Sequence, residues 1–196
     1  MDWLDFLKLI IGAGIGSALV QGLLPLLRDL FQRKKQATYM AMRLAVTLEN
    51  FAWACANLIQ DNHNAQTLAD EEYPEWDVSL PVLPPYPDDD DGWRSLDRKL
   101  AGRCLVFRNR LQESDSIIRT TIDLLDGEDT KIAIDEAAAK RGLEAWDIAV
   151  ALRQKHRIED DKPEWNYVEL LKLTAVAAEK AQDKRRKSIG GFFAQK

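Results

Sequence analysis

Residues 6–27 read FLKLIIGAGIGSALVQGLLPLL, and no other feature constrains the chain so strongly. As a helix this run would be about 33 Å long, close to the roughly 30 Å hydrocarbon core of a bilayer. Between Leu9 and Leu24 the only polar side chains are Ser17 and Gln21, so no polar face exists for an interfacial helix. Lys8 lies within a turn of one end, where its stem can snorkel, and Trp3 falls at interfacial height. A cleaved signal peptide would begin with a basic stretch, whereas this chain begins Met1-Asp2-Trp3-Leu4-Asp5. The glycines and Pro25 weaken a helix in water and are commoner in spanning helices, where backbone hydrogen bonding is enforced.

These observations predict a single transmembrane helix, an N-terminal anchor that with its basic flank occupies residues 1–35. Gly12 and Gly16 form a GxxxG pair, and Gly14, Ala18 and Gly22 put a small residue at every fourth position. Such a ridge lets two backbones approach, so a homo-oligomer through it is expected. Arg28, Arg33, Lys34 and Lys35 follow the span, and positive flanks stay inside. The expected address is therefore a single-pass membrane protein, of the bacterial inner-membrane kind, with its N-terminus outside and its body cytoplasmic.

The rest of the chain is rich in Ala, Leu, Glu, Lys and Arg, and strands look scarce. The expected fold is all-α: the anchor, then an up-down four-helix bundle over residues 36–187, then a short tail at 188–196. A first helix is expected over 36–62, from Met40, Leu44, Leu48, Phe51, Cys55 and Leu58 at helical spacing. A second is expected over 93–126, capped by Asp91 or Ser95 and ended by Gly127. A third is expected over 129–158, with Ala139, Leu143, Trp146 and Val150 inward. A fourth is expected from Pro163 to Lys187, ended by Gly190-Gly191.

Between the first and second helices, residues 64–92 hold five prolines and nine acidic residues without Lys or Arg. Prolines forbid a continuous helix there, yet Trp76, Val78, Leu80, Leu83 and Tyr86 are too apolar for a solvated linker. An extended strap packed along the bundle is expected. Trp76, Tyr86, Asp88, Asp89, Asp90 and Asp91 make it the preferred surface for a protein partner. The acidic run fails an EF-hand alignment, because Pro87 falls at the first ligand position before Gly92. A solvated, self-repelling loop is the expectation for it.

Charge is distributed unevenly. Residues 1–35 carry +2 and 184–196 carry +5, which leaves −12 on the body at a net −5. An acidic body is a poor phosphate binder, so nucleic acid is not an expected partner. If the first helix leads away from a membrane, the last returns to it. Lys184, Arg185, Arg186 and Lys187 would then join Arg33, Lys34 and Lys35 at lipid headgroups.

No catalytic signature emerges. His63 and His156 lack the Glu-x-x-His spacing of di-iron bundles, and two cysteines without ligand spacing give no zinc site. No cofactor, metal or catalytic residue is therefore expected. The expected role is a membrane-anchored interaction protein. The alternatives are an enzyme assembled near the strap from Asp97, Arg103, Arg108 and Arg110, or a small membrane-active assembly.

Overall fold

A computed structural model describes residues 3–68, 79–124, 127–159 and 165–193. For residues 3–23, 26, 66–68, 123–124, 127–129 and 182–193 the description is of the backbone. All regular structure among the described residues is helical: α1 (Trp3–Leu68), α2 (Asp90–Ser95), α3 (Arg98–Leu124), α4 (Gly127–His156) and α5 (Tyr167–Phe193).

The expected anchor and the expected first body helix are one element. α1 holds 66 residues, about 100 Å at 1.5 Å per residue, and Pro25 does not end it. Nor does Asn62, expected as a stop; it is buried because its Nδ2 donates to Asp135 Oδ1 at 3.1 Å. The core begins at Ala37, and the described residues of 24–36 are all exposed. Among the described residues no helix is long and apolar enough to cross a membrane. The expected span, Phe6–Leu27, has most of its side chains outside those residues, including Gly12, Gly16, Ala18 and Gly22.

α1 and α4 pack most intimately. Ala41, Ala45, Ala52, Cys55 and Ala56 of α1 and Ala138, Ala139, Ala145 and Ala149 of α4 are all fully buried. Small side chains let two helix axes approach, and Leu44, Leu48, Phe51, Ile148 and Leu152 fill the flanks. Gly142 lies where three helices meet. A Cβ there would stand 3.0 Å from Cys55 Cβ on α1 and 3.0 Å from both Leu171 methyls on α5.

Residue pairs across the helices give their directions. Glu49 meets Arg153 and Asn62 meets Asp135, so α4 runs antiparallel to α1. Ser114 meets Arg141 and Arg110 meets Glu144, so α3 is antiparallel to α4 and parallel to α1. Trp146 meets Tyr167 and Gly142 meets Leu171, so α5 is antiparallel to α4 and also parallel to α1. The up-down expectation is thus corrected: three helices run one way and α4 alone runs back among them. The reason is the strap, which is long enough to carry the chain from the end of α1 back toward its middle before α3 begins. The same topology corrects the expected meeting of the two basic clusters. α5 ends away from the end of the body that holds residues 33–35, so Lys184–Lys187 do not return to them.

The expected second helix is split in two. Leu96, buried, leaves the helical conformation at φ −70° and ψ 153°, and Asp97 starts α3 by accepting from Lys99 N at 3.0 Å and Leu100 N at 3.2 Å. α4 ends at His156 with Arg157 in the left-handed region (φ 54°). Ile158 N bonds back to Arg153 O at 3.0 Å, a closure that usually employs glycine.

Two glycine substitutions separate close approach from helix propensity. Gly142→Val should destabilise the body by about 1–3 kcal/mol through overpacking. Gly102→Ala, in mid-α3 with nothing within 4 Å of its added carbon, should stabilise by about 0.5–1 kcal/mol. Urea denaturation of both variants checks the pair.

Candidate functional site

The strap's described part, residues 79–89, runs down the flank of α3. Leu80 and Leu83 are buried, and Tyr86 is half-buried with its hydroxyl donating to Cys104 O at 3.1 Å. Arg108 lies over the Tyr86 ring at 4.8 Å and donates from Nη2 to Pro84 O at 2.8 Å. Trp93 packs edge-on against Tyr86 and donates from Nε1 to Pro87 O at 3.0 Å. Two aromatic rings and one guanidinium therefore fasten a proline-rich segment that has few backbone donors of its own. Burial, with a smaller push from Cys104, raises the Tyr86 hydroxyl far above its ordinary range, so it stays a neutral donor.

The acidic run differs from the expected self-repelling loop. Asp89 caps α2, its Oδ1 accepting from Gly92 N at 3.0 Å, and Asp90 and Asp91 occupy the first turn. Negative charge at a helix N-terminus meets the positive end of the peptide dipoles, which offsets part of the repulsion. Gly92 is buried here; an added Cβ would meet Asp89 Oδ2 at 2.6 Å and Met40 Cβ at 3.3 Å. The cap thus seats α2 on α1. Asp88, Asp90 and Asp91 remain exposed, and Val82 stands 89% exposed between two prolines. Trp76 lies outside the described residues.

Among the described residues, three polar clusters lie within the bundle. At one end, the Arg153 guanidinium meets both Glu49 oxygens, Nη2 to Oε2 at 2.7 Å, and donates from Nη1 to Glu159 O at 2.6 Å. Tyr167 sits beside this pair. Burial pushes its hydroxyl up to about 12, with Glu49 adding and Arg153 opposing. Midway, Arg141 joins Ser114 Oγ at 2.8 Å and Glu144, which also takes Arg110. At the other end, Asp135 holds Asn62 and Lys131, the latter at 3.0 Å. This last cluster borders a groove of about 560 Å³ between α1, α4 and α5, lined also by His63, Trp165 and Leu170.

The four residues weighed as a scattered enzyme site are not brought together. Asp97 caps α3, Arg103 is exposed, Arg108 faces the strap and Arg110 faces α4. Among the described residues no three His, Cys, Asp or Glu side chains converge in a way that would hold a metal ion. Cys55 and Cys104 are free and buried, and burial raises the Cys104 thiol to about 12 and Cys55 further. Arg33, Lys34 and Lys35 are exposed; the side chains of Lys184, Arg185, Arg186 and Lys187 lie outside the described residues. The buried Glu49–Arg153 pair was missed in the sequence, where the two stand 104 residues apart.

No protein-family model, curated protein or solved structure matches this chain.

Two predictions follow from the polar groups. Glu49→Ala takes the carboxylate away from the buried Arg153 guanidinium, so stability should fall by about 3 kcal/mol, and Glu49→Leu with Arg153→Met should recover most of it. The N–H groups of Leu100 first, and of Lys99, hold the Asp97 carboxyl below its ordinary 3.8. That stabilisation is complete above 3.8 and fades as pH falls through the lowered value. Asp97→Asn, which keeps an oxygen at the cap, should therefore flatten the loss of stability below pH 3.8 in acid titrations followed by circular dichroism.

Proposed function

We propose that this chain is a membrane-anchored interaction protein, held by the N-terminal part of α1, whose helical body presents the strap to a protein partner. The observation that carries the reading is where α1 meets its own core. Packing begins at Ala37, and Leu24, Leu27, Leu30 and Phe31 are each about half exposed or more. The body thus offers the described part of the arm no cover, and the sequence N-terminal to it is still more apolar. Burial of that surface is worth roughly 25 cal/mol per Å², and lipid would provide it.

Charge supports one orientation. Arg28, Arg33, Lys34 and Lys35 follow the apolar run with only Asp29 among them, which favours a body on the cytoplasmic side. The strap fits a docking role because its inner face is fastened by Tyr86 and Arg108 while Val82, Asp88, Asp90 and Asp91 face solvent. A partner that meets it would present cations beside a small apolar recess.

The full-length chain, expressed in bacteria, should pellet with membranes, resist alkaline carbonate and come out with detergent. Ile15→Arg places a charge at mid-span, costing about 2.5–3.5 kcal/mol of insertion, and should shift much of the chain to the carbonate-soluble fraction. A wild-type chain found in the soluble fraction with its first thirty residues intact would sink the anchor.

A further inference from the structure

α1 carries a second apolar face, on the side away from the core. From Phe31 it passes through Lys35, Tyr39, Met42, Val46 and Asn50 to Trp53, in steps of three and four residues. At 100° per residue this stripe is centred roughly 175° from the face that buries Met40, Leu44, Leu48 and Cys55. Its apolar members are substantially exposed: Phe31 64%, Tyr39 55%, Met42 40%, Val46 43% and Trp53 51%. Among the described residues, the exposed apolar side chains of α3 and α5 form no comparable row, whereas this one runs about 33 Å along one element. A continuous exposed apolar face of this size marks an interaction site.

We infer that the stripe is the seam of a parallel homodimer in which α1 of one copy lies against α1 of a second. Three features argue for a second copy as occupant. First, the α1 face that buries Met40, Leu44, Leu48 and Cys55 lies opposite the stripe, so the bulk of each bundle points away from the seam, with the Glu49–Arg153 pair at its edge. Second, Phe31, Tyr39, Met42, Val46 and Trp53 with Lys35 and Asn50 offer roughly 600 Å² per copy, the lower end of what a stable interface takes from each partner. Third, the polar members suit a parallel two-fold pair. The row repeats every eleven residues, a period that keeps one face of two parallel helices together, and Asn50 would meet Asn50 of the other copy, where the two amides can hydrogen-bond. Lys35 has a stem long enough to carry its charge to the rim. Arg43, stacked on Tyr39 at 5.7 Å, shows a cation already held beside the seam by an aromatic ring.

This seam differs from the Gly12/Gly16 ridge and does not rest on the anchor. A parallel pair brings each residue of the stripe to its own counterpart, and that is what crosslinking reads. Lys35→Cys and Asn50→Cys replace polar members and leave the apolar ones in place. The native thiols, buried and held protonated, contribute no background. Each full-length variant, treated with a short bis-maleimide in native extracts, should give a covalent dimer of twice the chain mass. Lys172→Cys, exposed on α5, should give none. Val46→Glu, on a side chain already 43% exposed, should keep the circular dichroism of the folded chain and cut the crosslinked yield at least tenfold. Monomer alone from both stripe variants, a crosslink to a different polypeptide, or a product joining residue 35 to residue 50 when the two variants are mixed would each overturn the parallel homodimer.

Discussion

The approach of α1 to α4 is the contact on which the rest of the body depends. Both faces are built from alanine, with Cys55 and Gly142 at the closest point, so the two backbones come together with little side chain between them. Such closeness leaves the larger residues to be accommodated at the sides. There Phe51 meets Phe107 of α3 edge-on at 5.6 Å, and Leu171 of α5 rests against Gly142. α4 therefore becomes the inner helix, covered by α1, α3 and α5, and the strap closes the gap between α3 and the start of the core.

Much of this was legible in the sequence, and the failures have physical causes. Helices dominated by leucine and phenylalanine, such as 36–62, declare their inner face because one stripe carries nearly all the hydrophobic surface. α4 does not. It touches three neighbours, so apolar residues surround it, and its deepest contacts are alanines that carry little hydrophobic signal. Leu143, Trp146 and Val150, expected inward, are only partly buried, whereas Ala138, Ala145, Ile148 and Leu152 form the centre. The break at Leu96 was equally hidden. Leu96 continues the apolar period, and only the cap geometry of Asp97 shows that a new helix begins there.

Topology was the larger gap. Short connections force neighbouring helices antiparallel, and that held for α3 to α4 and for α4 to α5. The connection from α1 to α3 is long, and length removes the constraint: an extended chain can run the height of the bundle and restart at its other end. What fixes the outcome is pairing invisible to periodicity. Glu49–Arg153, Ser114–Arg141 and Asn62–Asp135 each align α4 with a neighbour at one height. Each is costly to leave half-made, so a helix shifted by one turn would strand buried charge. Alanine seams slide easily, and these polar pairs supply the register that the seam cannot.

The same reasoning bears on the arm. A helix that leaves its core at Ala37 without a break transmits the core's orientation along its whole described length. The side of α1 that faces α4 is fixed by the alanine seam, so the side bearing Tyr39, Val46 and Trp53 is fixed too. A face that repeats at helical spacing from the exposed arm into the packed body has one geometry along both. Had the arm been joined through a flexible linker, its apolar residues and those of the body would turn independently and no common seam would exist. Continuity of one helix is thus what makes a row of separate exposed side chains a single surface.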